Sequence, residues 1–226
     1  MDQALDARRY EFERPLALSG IDSGMRLLDF PSGGGYLRHY LPPDVEYLPA
    51  ETVADYAAYA DVLLCDWDRI PLASDSVDVS ISIAALHHLI HGRSDCYREI
   101  YRLTRPGGCF VIADVAADSA PAAWLDEFVG TQSSEGHVAI FHDEHEERQA
   151  LTEAGFRVAA CRIDHYPWLF SSRQQTIDFC RGLFRLDRPD DELIWHALND
   201  YLGTRVATDG AVELDWSLML SKAVKD

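Results

Sequence analysis

Lysine is missing from nearly the whole chain, with none before Lys222. Arginine does not compensate: Lys and Arg total 20 against 38 Asp and Glu, a net charge of −18. Nucleic-acid binding rests on cationic side chains that neutralise phosphates, so neither DNA nor RNA is expected as a partner. An anionic membrane surface is disfavoured on the same ground. Long apolar runs are missing as well. Nothing approaches the about 18 consecutive apolar residues of a membrane helix. The charged stretch Met1 to Glu13 lacks the apolar core of a secretion signal. The five cysteines (Cys65, Cys96, Cys109, Cys161, Cys180) are odd in number and form no CxxC pair. They read as buried free thiols in a reducing cytoplasm. No HExxH motif occurs among the nine histidines, and no metal is expected.

What remains is an ordinary globular composition, 47% hydrophobic and 26% charged over 226 residues, enough for one domain with a sizeable core. Short apolar runs alternate with helical patterns. Strands are predicted at Met25–Phe30, Val45–Leu48, Val62–Cys65, Val77–Ile83, Cys109–Ala113, Phe156–Ile163 and Trp216–Val224. Helical spacing marks Tyr36–Leu41, Val53–Tyr59, Asp95–Leu103 and Glu144–Ala154, the last with Asp143 as N-cap and Gly155 as its stop. Alternating strands and helices imply an α/β fold, a doubly wound, mostly parallel sheet covered on both faces. The segment 171–214 separates the last two strands. With helices at Gln174–Leu186 and Glu192–Tyr201, it reads as a helical insertion in a single domain, 1–226.

The first strand ends LLDFPSGGGYL, placing Asp29 before Gly33, Gly34 and Gly35. In doubly wound sheets the crevice at the carboxyl ends of the strands receives the ligand. Glycines there let the backbone approach a nucleoside without an intervening Cβ. Glu51 follows about 20 residues later, the spacing of an acid that accepts from ribose hydroxyls. Asp66 ends the third strand and can accept from an adenine amino group, with Trp67 beside it to pack on the ring.

These segments, with CDWDRIPLASDSVDVSISIAALHHL, REIYRLTRPGGCFVIADV and LTEAGF, resemble the class I S-adenosylmethionine-dependent methyltransferases. The likeness is strongest to the small-molecule branch that includes ubiquinone and menaquinone biosynthesis enzymes. It implies a seven-stranded sheet whose last strand is antiparallel and inserted beside the sixth. It also implies S-adenosylmethionine as cofactor, with Asp29, Ser32, Gly33 and Gly35 in the nucleotide loop and Glu51 at the ribose. Asp66 and Trp67 would sit at the adenine, and Ile83 along the cofactor. Pro31 departs from the pattern, standing where the family has glycine; it fixes φ and removes an N–H. Gly33 and Gly35 are left to supply the close approach.

The expected reaction is methyl transfer to a small, aromatic or apolar metabolite. Alternatives are a relative that keeps the cofactor but catalyses cyclisation or decarboxylation, and a non-catalytic binding subunit. The acceptor atom stays open among O, N, C and S, and a homodimer stays open too. A general base should project from a strand end or the cap. His88, next to His87 after the fourth strand, Asp114 at the end of the fifth, and His142 ahead of a helix are the candidates. His137, His165 and Tyr166 are placed near the same pocket. Tyr10 and Phe12 are expected to close the cofactor side, and the aromatics of 171–214, including Phe179 and Trp195, to cover the substrate.

Overall fold

The β-branched run Val77–Ile83 is the hub of a sheet with two differently packed faces. A computed structural model describes residues 6–57 and 61–226. Strands β1 (Arg26–Asp29), β2 (Glu46–Glu51), β3 (Leu63–Leu64), β4 (Val77–Ile83) and β5 (Thr104–Asp114) pair in parallel. Strand β6 (Arg157–Phe170) and the last strand, β8 (Val212–Val224), are much longer. The order is β3-β2-β1-β4-β5-β8-β6, and β8 runs antiparallel to both of its neighbours. A short strand β7 (Thr204–Val206) pairs with β8 and makes eight.

Successive strand residues point to opposite faces, so an apolar run feeds two cores at once. Leu27, Val111 and Ala113 face one core, which is closed by helix α1 (Arg9–Ser19), α6 (Arg173–Leu183) and α7 (Asp191–Ala197). A helix between 120 and 132 packs on the same side. It comprises α3 (Ala120–Ala123), a π-helical stretch Trp124–Val129 and a final turn α4 (Gly130–Gln132). Leu28, Phe110 and Ile112 face the other core, under α2 (Arg93–Leu103) and α5 (Glu144–Glu153). Asp143 caps α5 through a reciprocal box, its side chain taking the Glu146 N–H at 2.8 Å while Glu146 accepts from the Asp143 N–H at 3.0 Å.

Three departures from the sequence reading have physical causes. The sheet has eight strands rather than seven, because 204–214, assigned above to the helical insertion, folds back as a hairpin. Gly210, at φ +90°, turns it after Asp209, and β8 starts at Val212 instead of Trp216. Two helices are additional: the one from 120 to 132 buries Ala122, Trp124, Leu125, Phe128 and Val129 on one side over a short span, and α1 carries Pro15 and charges of both signs that interrupt its apolar face. Tyr36–Tyr40 and Ala54–Ala57 form only 3-10 turns, and the end of the predicted helix Val53–Tyr59 lies outside the described residues. Among the described residues no helix is long and apolar enough to cross a membrane.

Phe110 is 1% exposed and lies between the rings of Tyr97, at 5.7 Å, and Phe156, at 6.1 Å. Phe110→Ala is expected to reduce unfolding free energy by about 3–5 kcal/mol, measured by denaturant titration.

Candidate functional site

Buried acids sit at the carboxyl ends of β1 and β2. Asp29 is 3% exposed and accepts from the Tyr47 hydroxyl at 2.5 Å. Burial, reinforced by the charge of Glu51, pushes its carboxyl up to about 7, against the pull of the Tyr47 hydrogen bond and Arg38. Glu51 is also buried. One oxygen accepts from the Gly33 N–H at 2.8 Å, and the other from the Thr52 and Val53 N–H groups at 2.7 and 3.1 Å. Glu51 therefore shapes the glycine loop itself. A carboxylate has about four acceptor positions, so one remains on the oxygen facing Gly33.

The loop is built around residues that only glycine fits comfortably. Gly33 and Gly35 adopt φ +53° and +70°, and a Cβ on Gly33 would meet nothing within 4 Å. The left-handed backbone at Gly33 is open on its Cβ side, so no packing constraint holds that face. Pro31 follows a cis peptide bond, and its missing N–H leaves no donor unmet. The Ser32 N–H continues the loop by donating to Ala50 at 2.9 Å. Asp66 is exposed after β3. Half-buried Trp67 meets Phe30 edge-on at 5.4 Å. Ile83 is half-buried at the end of β4 and is followed by Ala84, a non-glycine residue at φ +47° whose N–H donates to Ala113 at 2.7 Å. Left-handed strain of this kind persists only where the surroundings enforce it.

The three candidate bases have different fates. Asp114 is buried and accepts three donors: the His87 backbone N–H at 2.9 Å, the His87 ring Nδ1 at 2.5 Å and the Val115 N–H at 2.8 Å. Burial alone would raise its carboxyl, but His87, Arg93 and the Val115 N–H hold it below the usual range. Its carboxylate is engaged by His87 and by its own loop. His142 is tied through Nδ1 to buried Glu147 at 2.9 Å, and the same carboxylate takes the Tyr97 hydroxyl at 2.8 Å. Only His88 is exposed. Desolvation by neighbouring rings, then the adjacent His87, keep it below the ordinary imidazole value.

Sequence reasoning put His137 near this pocket without linking it to His87 and His88. Their ring centroids lie 4.1 Å (His87–His88), 5.6 Å (His87–His137) and 5.2 Å (His88–His137) apart. Burial and the two other histidines depress His137 to about 4. Phe141 lies parallel to His137 at 6.2 Å. The segment is held down by the Ile140 N–H on the His87 carbonyl at 2.8 Å and by Arg93 on the Leu86 and Ile140 carbonyls at 2.8 and 2.7 Å. No short-range spacing signals this contact, since His137 arrives from a loop beyond β5.

Other expected residues lie elsewhere. Phe12 is buried in the core and stacks on Tyr40 at 5.1 Å. His165 and Tyr166 line a cleft of about 700 Å³ beyond β5, together with Pro121, Arg205, Asp215 and Trp216. None of the loop glycines, strand-end acids or clustered histidines lines that cleft. Within the insertion, Phe179 packs on Trp168 and Phe170, and Phe184 on Trp124 and Trp216.

Asp29 makes stability depend on pH. The folded protein holds its proton up to about pH 7, whereas an unfolded aspartate loses it near pH 4. The folded state thus binds more protons between these values, and the contribution to stability declines as pH rises through them. Asp29→Asn should match the wild type below pH 4 and become the more stable of the two by pH 8, as measured by denaturant unfolding across pH.

Residues 31–112 match a methyltransferase domain family. Over 126 residues the chain is 31% identical to malonyl-[acyl-carrier protein] O-methyltransferase of Pectobacterium atrosepticum, covering 52% of this chain and 49% of that protein. The match thus spans about half the length of that curated relative. Among solved structures, a Bacillus halodurans C-125 protein assigned as a methyltransferase superposes with a TM-score of 0.65 at 16% identity, covering 95% of this chain and 98% of that one. A geranyl diphosphate methyltransferase in complex with GPP and sinefungin gives 0.59 at 15% identity, covering 96% and 78%. At such identities the structural likeness speaks for the fold. The chain is thus similar to methyltransferases in the sequence of residues 31–112 and in its fold.

Proposed function

We propose that the protein transfers a methyl group from S-adenosylmethionine to a small, aromatic or otherwise apolar metabolite. The observation that carries this reading is the pairing of the open, left-handed Gly33 with buried Asp29 and Glu51 at the ends of β1 and β2. These residues fit the cofactor: the glycine leaves room for the nucleoside, and Glu51 keeps one acceptor position for a ribose hydroxyl. Asp66 and Trp67 are assigned to the adenine, Ser32 and Gly35 to the loop backbone, and Ile83 to the cofactor's flank. When bound, S-adenosylmethionine supplies an electrophilic methyl group on a sulfonium.

The chain's own work is to hold the acceptor in line and to take its proton where it carries one. His88 suits the second task, being exposed and held below the ordinary imidazole value, so it is neutral near pH 7. Asp114 acts through His87 as a positioning residue, and His142, bound to Glu147, is assigned to the frame. The apolar preference is supported by the loop carrying His137, where Val138 is 71% and Ile140 43% exposed beside Phe141. The insertion acts as a cap from the far side. Arg185, just after α6, pairs with Glu135 and also feels Tyr56 and Asp55 of the loop after β2. A closed cap keeps water from the reacting centre. Five free thiols and the acidic, lysine-poor surface fit a cytoplasmic enzyme of small metabolites.

Calorimetry with S-adenosylmethionine and its demethylated product tests the reading. Saturable binding is expected, weakened in Glu51→Ala by about 1.5–3 kcal/mol, the worth of a charge-assisted hydrogen bond. Incubation with phenols, carboxylic acids and amines should then give a product one methyl group heavier by mass spectrometry. Absence of binding at millimolar ligand would sink the assignment. Binding without methyl gain across the panel would favour the non-methylating alternative.

A further inference from the structure

We propose that His87, His88 and His137 form a binding site for a divalent transition-metal ion such as Zn²⁺ or Co²⁺. One ring nitrogen from each of the three lies within 4.8 Å of the others. Imidazole is a preferred ligand for these ions, and three histidines with an open fourth position are a known catalytic zinc set. Four-coordinate ligation at about 2.0–2.1 Å brings ligand nitrogens to about 3.3 Å of one another. The triangle must therefore tighten on binding. His88 is the exposed member and His87 the buried one, anchored on Asp114, so the adjustment falls to His88 and His137.

Two further observations point to an ion rather than to chance crowding. The first is the support behind the rings. Metal-bound histidines usually give their other N–H to a carboxylate or a backbone carbonyl, which fixes tautomer and direction. His87 does this through Nδ1 to the buried Asp114 carboxylate at 2.5 Å, leaving Nε2 as its lone-pair nitrogen. His88 is hydrogen-bonded to the backbone of Val138. The second is an orphan. Nδ1 of His137 is buried without a hydrogen-bond partner among the described residues, and the nearest carboxylate oxygen, on Asp126, is 3.9 Å away, beyond hydrogen-bond reach. Buried polar atoms are rarely left unmet, and an unmodified apolar core would gain by removing such a ring. Ligation by the ring, with Asp126 drawn in behind it, removes the anomaly. The Arg93 guanidinium is engaged by the Leu86 and Ile140 carbonyls.

The two stretches that supply the ligands are far apart in sequence, which is why motif reading led to the expectation of no metal. The site lies where β4 and β5 end, on the acceptor side of the cofactor region proposed above. An ion there would offer its open position to an oxygen or nitrogen of the substrate, and His88 would then serve as ligand instead of proton acceptor.

The test uses the full chain, stripped with chelator, and the metal alone, so its outcome is independent of whether S-adenosylmethionine binds. Equilibrium dialysis against Co²⁺ with elemental analysis should give one ion per chain, with visible absorption of low-coordinate cobalt. Zn²⁺ should displace it. His88→Ala and His137→Ala should each weaken binding at least tenfold. Asp114→Asn should weaken it about 10–100-fold through loss of support to His87. His145→Ala, an exposed histidine outside the cluster, should change nothing. Circular dichroism confirms that each variant is folded, and His88→Ala, altered at an exposed ring, guards against a folding artefact. The proposal is overturned if the wild type takes up less than about half a Co²⁺ per chain at free metal about a hundredfold above a micromolar Kd. Equal binding by folded His88→Ala and wild type overturns it as well.

Discussion

The carboxyl edge of the sheet hangs on one carboxylate. Asp114, at the tip of β5, takes the backbone and the ring of His87, which follows β4, and also its neighbour's N–H at Val115. Three donors on one buried anion fix the ends of two adjacent strands relative to each other, and charge-assisted bonds of this kind are about twice as strong as neutral ones. The restraint then spreads outward. The His87 carbonyl receives Ile140, Arg93 clamps Leu86 to Ile140, and the loop between the 120–132 helix and α5 is thereby laid across the strand ends. Removing the carboxylate would leave His87 without orientation and that loop without its seat.

A second buried anion does comparable work one layer out. Glu147 on α5 gathers the Tyr97 hydroxyl from α2 and the ring of His142, so that both helices on that face and the segment leading into α5 share one acceptor. Glu11 plays the same part on the opposite face, where the indole N–H of Trp168 reaches it at 3.0 Å beside Arg8. In each case the acid is buried because it is paired, which separates these groups from Asp29. Asp29 has a single neutral hydroxyl donor and pays for its burial in a displaced titration. The acids that hold the frame, and Glu51 against the glycine loop, are well supplied with donors, and Asp29 is not.

Sequence legibility followed the range of the interactions. The alternating run Val77–Ile83, the cap at Asp143 and the glycine turn after Asp29 are local patterns, each decided within a few residues, and all three appear where the pattern put them. The strand-end acids were legible for the same reason, because a parallel sheet converts chain spacing into position at one edge. The hairpin from 204 to 214 was missed because β7 is only three residues long and two of them, Thr204 and Arg205, are polar or charged, and α1 because its apolar contacts are scattered over β4, β5 and β6. The role of Glu51 was only partly visible: nothing in its spacing shows that its side chain also braces Gly33. His142 is a candidate base because capping accounts for Asp143 and not for it, and the carboxylate that pairs with its ring lies one turn into α5, out of reach of that local reading.

The placement of β8 has a consequence for how the protein comes into being. This strand lies between β5 and β6 yet is made after both. While the ribosome is still working through the insertion, β5 has an unpaired edge along Cys109 to Asp114, apolar but for its last residue, and β6 lacks β8, its partner among the described residues. An exposed strand edge of this kind invites pairing with other chains. The nascent chain must therefore either shelter that edge or keep the two strands apart until the final segment emerges and slides between them. Its arrival closes the sheet, seats the insertion and converts two vulnerable edges into interior pairs in a single event.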